Sequence, residues 1–516
     1  MRSRRAPASR SPSRSRCRTI RISARGAENS QRPPSPRYLV VAFAIVLAAA
    51  AASASLAAGV GHRTYTTPST RPLRTALVDP FVLDGPDAQA FAMTRGAGAE
   101  YVRLSASWRS IAPADRPDGF DASDPASPGY AWDALDGTVE AAEAAGLTPI
   151  LDIADTPRWA YAHKQSGVNA GSPRPTALGQ FARALATHYD GVDGSPTVRV
   201  FEVWNEPNLS LDLSPATASV YRPLVNAVAA SVHAVDPDNL VVAGGLDPFG
   251  HKKSHKQKWY SVAPLAFMRS LLCVSKGPHP HATCRKRVQF DVWSHHPYTY
   301  GGPFGRAQMP DNVELGDLPR MRAVLRVGAR LHRVVSAKPV QFWVSEFGWD
   351  SAPPRRRAAP MALAARWTSE SLYQAWRSGV SLLTWFGLED QQSPSPYQSG
   401  LYFHADSLFD ARPKPVLTAF RFPFVAILHR SAVMVWGRDA TSDRQSVTVR
   451  FRHGSHGHWR TVGTIVANSN GIFRARLKLK ATKKDWLRAV APGSGKSLAF
   501  SLTVPHHPHI GPWGRN

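Results

Sequence analysis

Cysteine is scarce in this chain, with three residues among 516, and acids are few, 37 Asp and Glu against 63 Lys and Arg. So little cysteine excludes a Cys-rich metal fold and a disulfide-stapled miniprotein. Several motifs are missing: no Gly-rich phosphate loop, no Cys quartet, no HExxH and no serine nucleophile elbow occurs. Phosphate-cradling, zinc-peptidase and serine-hydrolase chemistry are not indicated, and neither cofactor nor metal is called for. The acid deficit gives a formal net charge of +26, but it is uneven, because residues 1–37 carry 11 Arg against the single Glu28. That stretch, rich in Arg, Ser and Pro, reads as a disordered basic tail. The aromatics lie elsewhere and no nucleic-acid-binding motif accompanies the charge, so no nucleic-acid partner is expected.

Residues 39–58 (LVVAFAIVLAAAAASASLAA) run without a charge. Segment 38–60 therefore reads as a signal peptide or a transmembrane anchor. Its length suits a span, whereas the Ala-rich second half and Ala52-Ser53-Ala54 suit cleavage. Either way the basic flank stays cytoplasmic and the rest is exported, giving an extracellular or cell-surface protein that meets the membrane only through this segment. Cys273 and Cys284 fall in the exported part, where an oxidising compartment favours a disulfide; His279 and His281 between them keep a metal site as the rival. In the chain-entropy model, closing so short a loop stabilises by about 3 kcal/mol.

From residue 74 onward, eight short β-branched runs recur, at 74–78, 101–104, 148–153, 198–204, 240–244, 290–294, 340–345 and 380–385. Between them lie segments with helical apolar spacing, such as 132–145, 177–188, 221–235, 262–272, 320–335 and 362–377. Eight alternations predict an α/β fold, a (β/α)8 TIM barrel over residues 72–425. After Pro413-Lys414-Pro415 the pattern shifts to short alternating strands at 432–436, 446–452, 459–466, 472–479 and 497–504. These predict a small C-terminal β-sandwich, Ig-like, over 430–505, serving as a packing module or a glycan binder. Residues 506–516 read as a disordered tail.

In such a barrel the loops after the carboxyl ends of the strands build the active site. FEVWNEPN (201–208) ends the fourth strand and puts Glu206 at that mouth, and strand alternation sets Glu202, Trp204 and Glu206 on one side. Helix capping is the plain alternative for Glu206. FWVSEFGWD (342–350) ends the seventh strand and supplies Glu346. Two carboxylates that converge across one mouth suit glycosidic-bond cleavage, one protonated to serve the leaving oxygen and one ionised to face the anomeric carbon.

These motifs resemble the clan A glycoside hydrolases, the (β/α)8 superfamily that includes families 5 and 39, and the resemblance covers roughly residues 74–425. It implies that Glu206 is the general acid/base, that Glu346 is the nucleophile, and that the reaction is a double displacement with retention of the β configuration. It further implies that Asn205 bonds the sugar 2-hydroxyl and that Arg103, in YVRLSASW, stands by the nucleophile. His296 and Tyr298, in SHHPYTY, match its His-x-Tyr, with the tyrosine hydroxyl on the nucleophile. Trp385, in LLTWFGLED, matches the floor under the cleaved sugar. Trp108, Trp159 and Trp349 follow strands two, three and seven and either line further subsites or pack in the core. The expected partner is a carbohydrate. Basic loops HKKSHKQKW (251–259) and PPRRRAAP (353–360) on the predicted active face raise the idea of an anionic glycan, against simple solvation. A monomer is expected. A non-catalytic glycan-binding surface protein and a cell-wall transglycosylase stand as alternatives.

Overall fold

The computed structural model describes residues 63–512 apart from 393, 394, 396, 431, 442, 443 and 506–509. The basic tail and the apolar segment 38–60 lie outside the described residues, as do 506–509 and 513–516. Among the described residues no helix is long and apolar enough to cross a membrane.

Eight parallel strands close a barrel: β1 (Arg74–Val78), β2 (Tyr101–Ser107), β3 (Thr148–Ala154), β4 (Val200–Val203), β5 (Leu240–Leu246), β6 (Val292–His295), β7 (Gln341–Val344) and β8 (Leu382–Phe386). Each pairs with the next, and β8 returns to β1 through Leu382↔Arg74 to Phe386↔Val78. Helices follow the strands, the longest being Pro175–His188, Ala218–Val235 and Met361–Ser378. The helix expected over 320–335 stops sooner, at Arg330. His332 takes φ 55°, a left-handed conformation that ends the helical path, and Val334–Val335 then pairs with Val288–Gln289.

The barrel interior is stratified. Ala76, Ile150, Val200, Val242, Val292, Trp343 and Leu382 form an apolar plug toward the amino ends of the strands. Above it the inward positions turn polar, with Arg103, Asp152, Glu202 and Ser294 all buried. Burial penalises such charges, and the upper layer holds them because they pair with one another.

The predicted sandwich begins earlier than expected. Phe424–His429 is a strand, β9, pairing with β10 (Ala432–Arg438), which pairs in turn with β13 (Ile472–Leu477). The second sheet joins β11 (Ser446–Arg452), β12 (Arg460–Val466) and β14 (Trp486–Ala491), and its edge is the short strand Thr64–Thr66 lying parallel to β12. The strand expected over 497–504 reduces to Phe500–Ser501, paired with β14. Barrel and sandwich form one contact unit. The final described residues are not a free tail: Gly511 and Pro512 are buried, Gly301 N donates to Ile510 O at 3.0 Å, and Asp350 N donates to Pro512 O at 2.9 Å. Apolar burial and two backbone bonds hold them against the loops after β6 and β7.

Cys273 and Cys284 form a disulfide with Cα atoms 5.3 Å apart. The bridge ties the turn before β6, on the face opposite the mouth, and occupies the sulfurs that a metal would need.

Candidate active site

A cleft of about 800 Å³ opens at the carboxyl ends of the strands, and Asn205, Glu206, Tyr298 and Glu346 all line it. Regular β4 ends at Val203. Trp204 and Glu206 then adopt positive φ, 71° and 39°, so the expected alternation breaks there. Glu202 points into the sealed interior, Trp204 turns its indole N–H to Asp212 O at 2.9 Å, and Glu206 faces the cleft.

The two glutamates have different surroundings. Oε1 of Glu206 lies 3.0 Å from Nδ1 of His296, whose Nε2 lies 3.1 Å from Ser345 Oγ. Burial and then the nearby Glu346 carboxylate push the Glu206 carboxyl up to about 8, against the pull of Arg103. Burial lowers His296, so near neutrality its imidazole is uncharged and brings no cation to the acid. Glu346 instead accepts from the Tyr298 hydroxyl at 2.8 Å and stands 3.7 Å from the Arg103 guanidinium. Burial, followed by Glu346, raises Tyr298 well above its ordinary value, which keeps the phenol proton in place as a donor.

Arg103 organises the layer beneath. It donates to Glu202 at 2.5 Å, to Asp152 at 2.9 Å and to Asn205 Oδ1 at 3.1 Å. Burial alone would raise Glu202, but the charge of Arg103 and its hydrogen bond outweigh burial and hold that carboxyl below its usual range. Asp152 is pushed up to about 7, chiefly by burial. One guanidinium is thus shared by two interior acids and the cleft carboxylate Glu346. Asn205 is fixed at both ends of its amide, since its Nδ2 donates to Asp212 Oδ1 at 3.2 Å.

The tryptophans go elsewhere. Trp108 is fully buried and stacks on Phe181 at 5.3 Å. Trp349 is buried with its indole N–H on Ser371. Trp159 is half-buried, bonded to Pro113 O and packed edge-on to Trp108. Trp385 is 0% exposed and donates to Ser399 O. None of the four lines the cleft, so the expected floor role of Trp385 is corrected to core packing, Trp108 and Trp349 follow the core alternative, and Trp159 packs against the core half-buried. Phe81, Trp259, Phe386 and Tyr397 present the aromatic surfaces instead. Position after a strand does not separate buried indoles from exposed ones; Trp259 closes the basic loop HKKSHKQKW on the active face, where an aromatic is itself a signal for sugar contact.

Those lysines do not face the cleft. Lys252, Lys253, Lys256 and Lys258 are exposed, Arg355 pairs with Asp350, and none of them lines the cavity. Among the described residues seven acids (Asp79, Asp84, Asp152, Glu206, Asp212, Asp247 and Glu346) and one cation, Arg103, line the cleft. The basic loops thus place no cation among the described lining residues, and the anionic-glycan expectation gains no support from the cleft. Asp212 and Asp247, which composition and motif reading missed, are raised well above the ordinary carboxyl range by burial and by Glu206.

Comparison with known protein families agrees with this architecture. The cellulase family, glycosyl hydrolase family 5, matches residues 63–349. No curated protein matches the chain significantly. Among solved structures, a family 39 glycoside hydrolase from Bacteroides cellulosilyticus aligns at 16% identity over 82% of this chain and 81% of that chain, with a TM-score of 0.49. A monomeric beta-xylosidase from Caulobacter crescentus aligns at 18% identity over 76% and 86%, with a TM-score of 0.48. A family 30 endoxylanase from Clostridium papyrosolvens aligns at 11% identity over 83% and 98%, with a TM-score of 0.43.

Proposed function

The chain belongs to glycosyl hydrolase family 5 and is a glycosidase; on that premise we propose that it is an exported enzyme cleaving β-linked glycosidic bonds by double displacement with retention. The observation that carries this reading is the opposed treatment of two glutamates in one cleft. Glu206 is held protonated through neutrality, while Glu346 is met by a hydroxyl donor and a guanidinium.

In the first step the Glu206 proton passes to the glycosidic oxygen as that bond to the anomeric carbon breaks, and Glu346 forms a new bond to the same carbon. In the second, the Glu206 carboxylate takes a proton from water, the water oxygen bonds to the anomeric carbon, and Glu346 departs. His296 holds one oxygen of Glu206 and leaves the other for the leaving group. Asn205, locked between Arg103 and Asp212, presents its amide where a hydroxyl next to the anomeric carbon would lie. The lining carboxyls, most of them raised toward the neutral form by burial, can bond sugar hydroxyls, and the four aromatic surfaces suit an oligosaccharide or polysaccharide. Export is supported by the uncharged run at 39–58 and by the Cys273–Cys284 disulfide. We take the working unit to be a monomer, testable by light scattering.

The test is hydrolysis of neutral β-glycans and chromogenic β-glycosides followed by proton NMR of the fresh product. The β anomer is expected first, and Glu346→Gln is expected to lose turnover while still binding glycan. Early α product would refute retention, and wild-type turnover in the variant would remove Glu346 from the chemistry. An added sugar acceptor that captures most of the glycosyl group would make the enzyme a transglycosylase.

A further inference from the structure

The sandwich carries a charge that the cleft does not explain. Residues 424–505 hold 14 Lys and Arg against 3 Asp and no Glu. On the outer face of the β11–β14 pair, the register sets Arg450 directly opposite Arg488 and Arg452 opposite Trp486. Like charges directly opposite across two strands destabilise a sheet. The alternate positions Val447, Val449, Phe451, Leu487 and Ala489 are buried in the sandwich core, so the arginines are committed to the solvent side.

Indoles are interleaved with the guanidinia. Arg452 lies 4.8 Å from the Trp459 ring and 5.5 Å from Trp486, and Arg488 lies 4.2 Å over Trp459. Such stacking covers the guanidinium faces of Arg452 and Arg488, while Arg450 Nη2 donates to Trp459 O at 3.0 Å. Among the described residues none of the three pairs with a carboxylate, and the Nε atom of each is buried without a hydrogen-bond acceptor. Burial and the two neighbouring arginines lower Arg488, the signature of cations that repel one another. The nearest acid in sequence, Asp485, is already engaged by the backbone of Thr482 and Gly454 and by His453.

We propose that this Arg450–Arg452–Arg488 face, braced by Trp459 and Trp486, is a docking site for an anionic polysaccharide. A carboxylate or phosphate group on the polymer supplies the counter-charge that the sheet lacks, and it binds across the guanidinium edges in two-pronged geometry. A glycan is favoured over nucleic acid or membrane because the face shares one contact unit with a carbohydrate-cleaving cleft. That choice of polymer rests on the glycosidase reading; the arginine cluster does not. The anionic component and the uncharged bond that is cut are different parts of the ligand, which reconciles a basic sandwich with an acidic cleft.

Native gels cast with polygalacturonate, using the full chain, test this directly. Wild type should be retarded, and the R450Q/R488Q double variant should bind about tenfold more weakly, the scale expected for losing two charge-assisted contacts. Hydrolysis of a small chromogenic glycoside should be equal in both, which shows the variant folded and is read independently of polymer binding. R488K, which keeps the charge without the planar fork, should bind several-fold more weakly than wild type and serves if the double variant does not fold. The 11 arginines of residues 1–37 are present in every protein, so equal retardation of wild type and variants would place binding there and overturn the proposal. Failure of wild type to bind polygalacturonate would overturn it too, as would tighter, arginine-dependent binding to duplex DNA or phosphatidylglycerol vesicles.

Discussion

Replacing Glu346 by Gln removes one negative charge beside Glu206 and leaves the shape of the cleft intact. Glu206 is pushed up to about 8, first by burial and second by Glu346, with Arg103 opposing. Retaining carboxyl pairs stand about 5 to 5.5 Å apart, and at an effective dielectric constant of about 20 the repulsion across that gap is about 3 kcal/mol. That corresponds to about two decades in proton affinity. Burial is untouched by the substitution, so Glu206 in the variant still holds its proton more tightly than an exposed glutamate. In the wild type, kcat/KM on a chromogenic glycoside should fall as pH rises through about 8, because the acid loses the proton it must donate. In E346Q the Glu206 midpoint should move to lower pH by about two decades of proton concentration. Carbon-13 NMR of protein labelled at the Glu carboxyl carbons reads this without turnover, with Glu206→Gln identifying the resonance. An unmoved midpoint would mean that the two carboxylates do not share a site, and the double-displacement reading would fail with it.

Four further outcomes follow from the site and its surroundings. Tyr298→Phe deletes a buried 2.8 Å bond to Glu346; bonds to charged groups contribute about 1.5–3 kcal/mol, so kcat/KM should drop roughly 10- to 100-fold in steady-state assays. Glu206→Gln should abolish activity yet stabilise the fold at alkaline pH. The folded carboxyl titrates near 8 rather than 4.5, so its favourable contribution is complete at low pH and is lost as pH rises through 8. Thermal denaturation should show the variant ahead by roughly 2–4 kcal/mol at pH 9 and level with wild type near pH 4. Trp108→Ala should cost about 3–5 kcal/mol of stability with KM unchanged, because Trp108 is core. Trp259→Ala should raise KM for polymeric substrate and leave stability nearly unaltered, because Trp259 lines the cleft; the reverse pattern would return the buried indoles to the substrate.

Much of the barrel was legible because its strands are β-branched runs at regular spacing, and β1 falls on the expected residues 74–78. The acid pair was legible because short motifs sit where strands end, and a strand end in a closed barrel is a position in space. The remainder depended on backbone and side-chain direction. Nothing in FEVWNEPN announces that Trp204 and Glu206 leave the extended region, so alternation alone misplaces Trp204 beside Glu202 and Glu206. Trp108, Trp349 and Trp385 have the sequence address of cleft residues, yet helices and loops cover them, and half-buried Trp159 packs against Trp108 instead. The strand WLRAVA follows the charged KKD and was hidden, while FVAILH, next to a helix, was absorbed into the barrel. Charged loops announce charge but not orientation, which is why the lysines after β5 suggested a basic cleft where an acidic one exists.

The pairing of Thr64 with Thr464 sets a clock for biosynthesis. A ribosome adding about 5–20 residues per second displays the first strand for roughly 20–80 s before its neighbour emerges. Throughout that interval the nascent chain carries a bare strand edge while its barrel is already being made. Cutting the gene after the barrel would make that exposure permanent, so aggregation of such a fragment would report a missing partner edge and not an unstable enzyme.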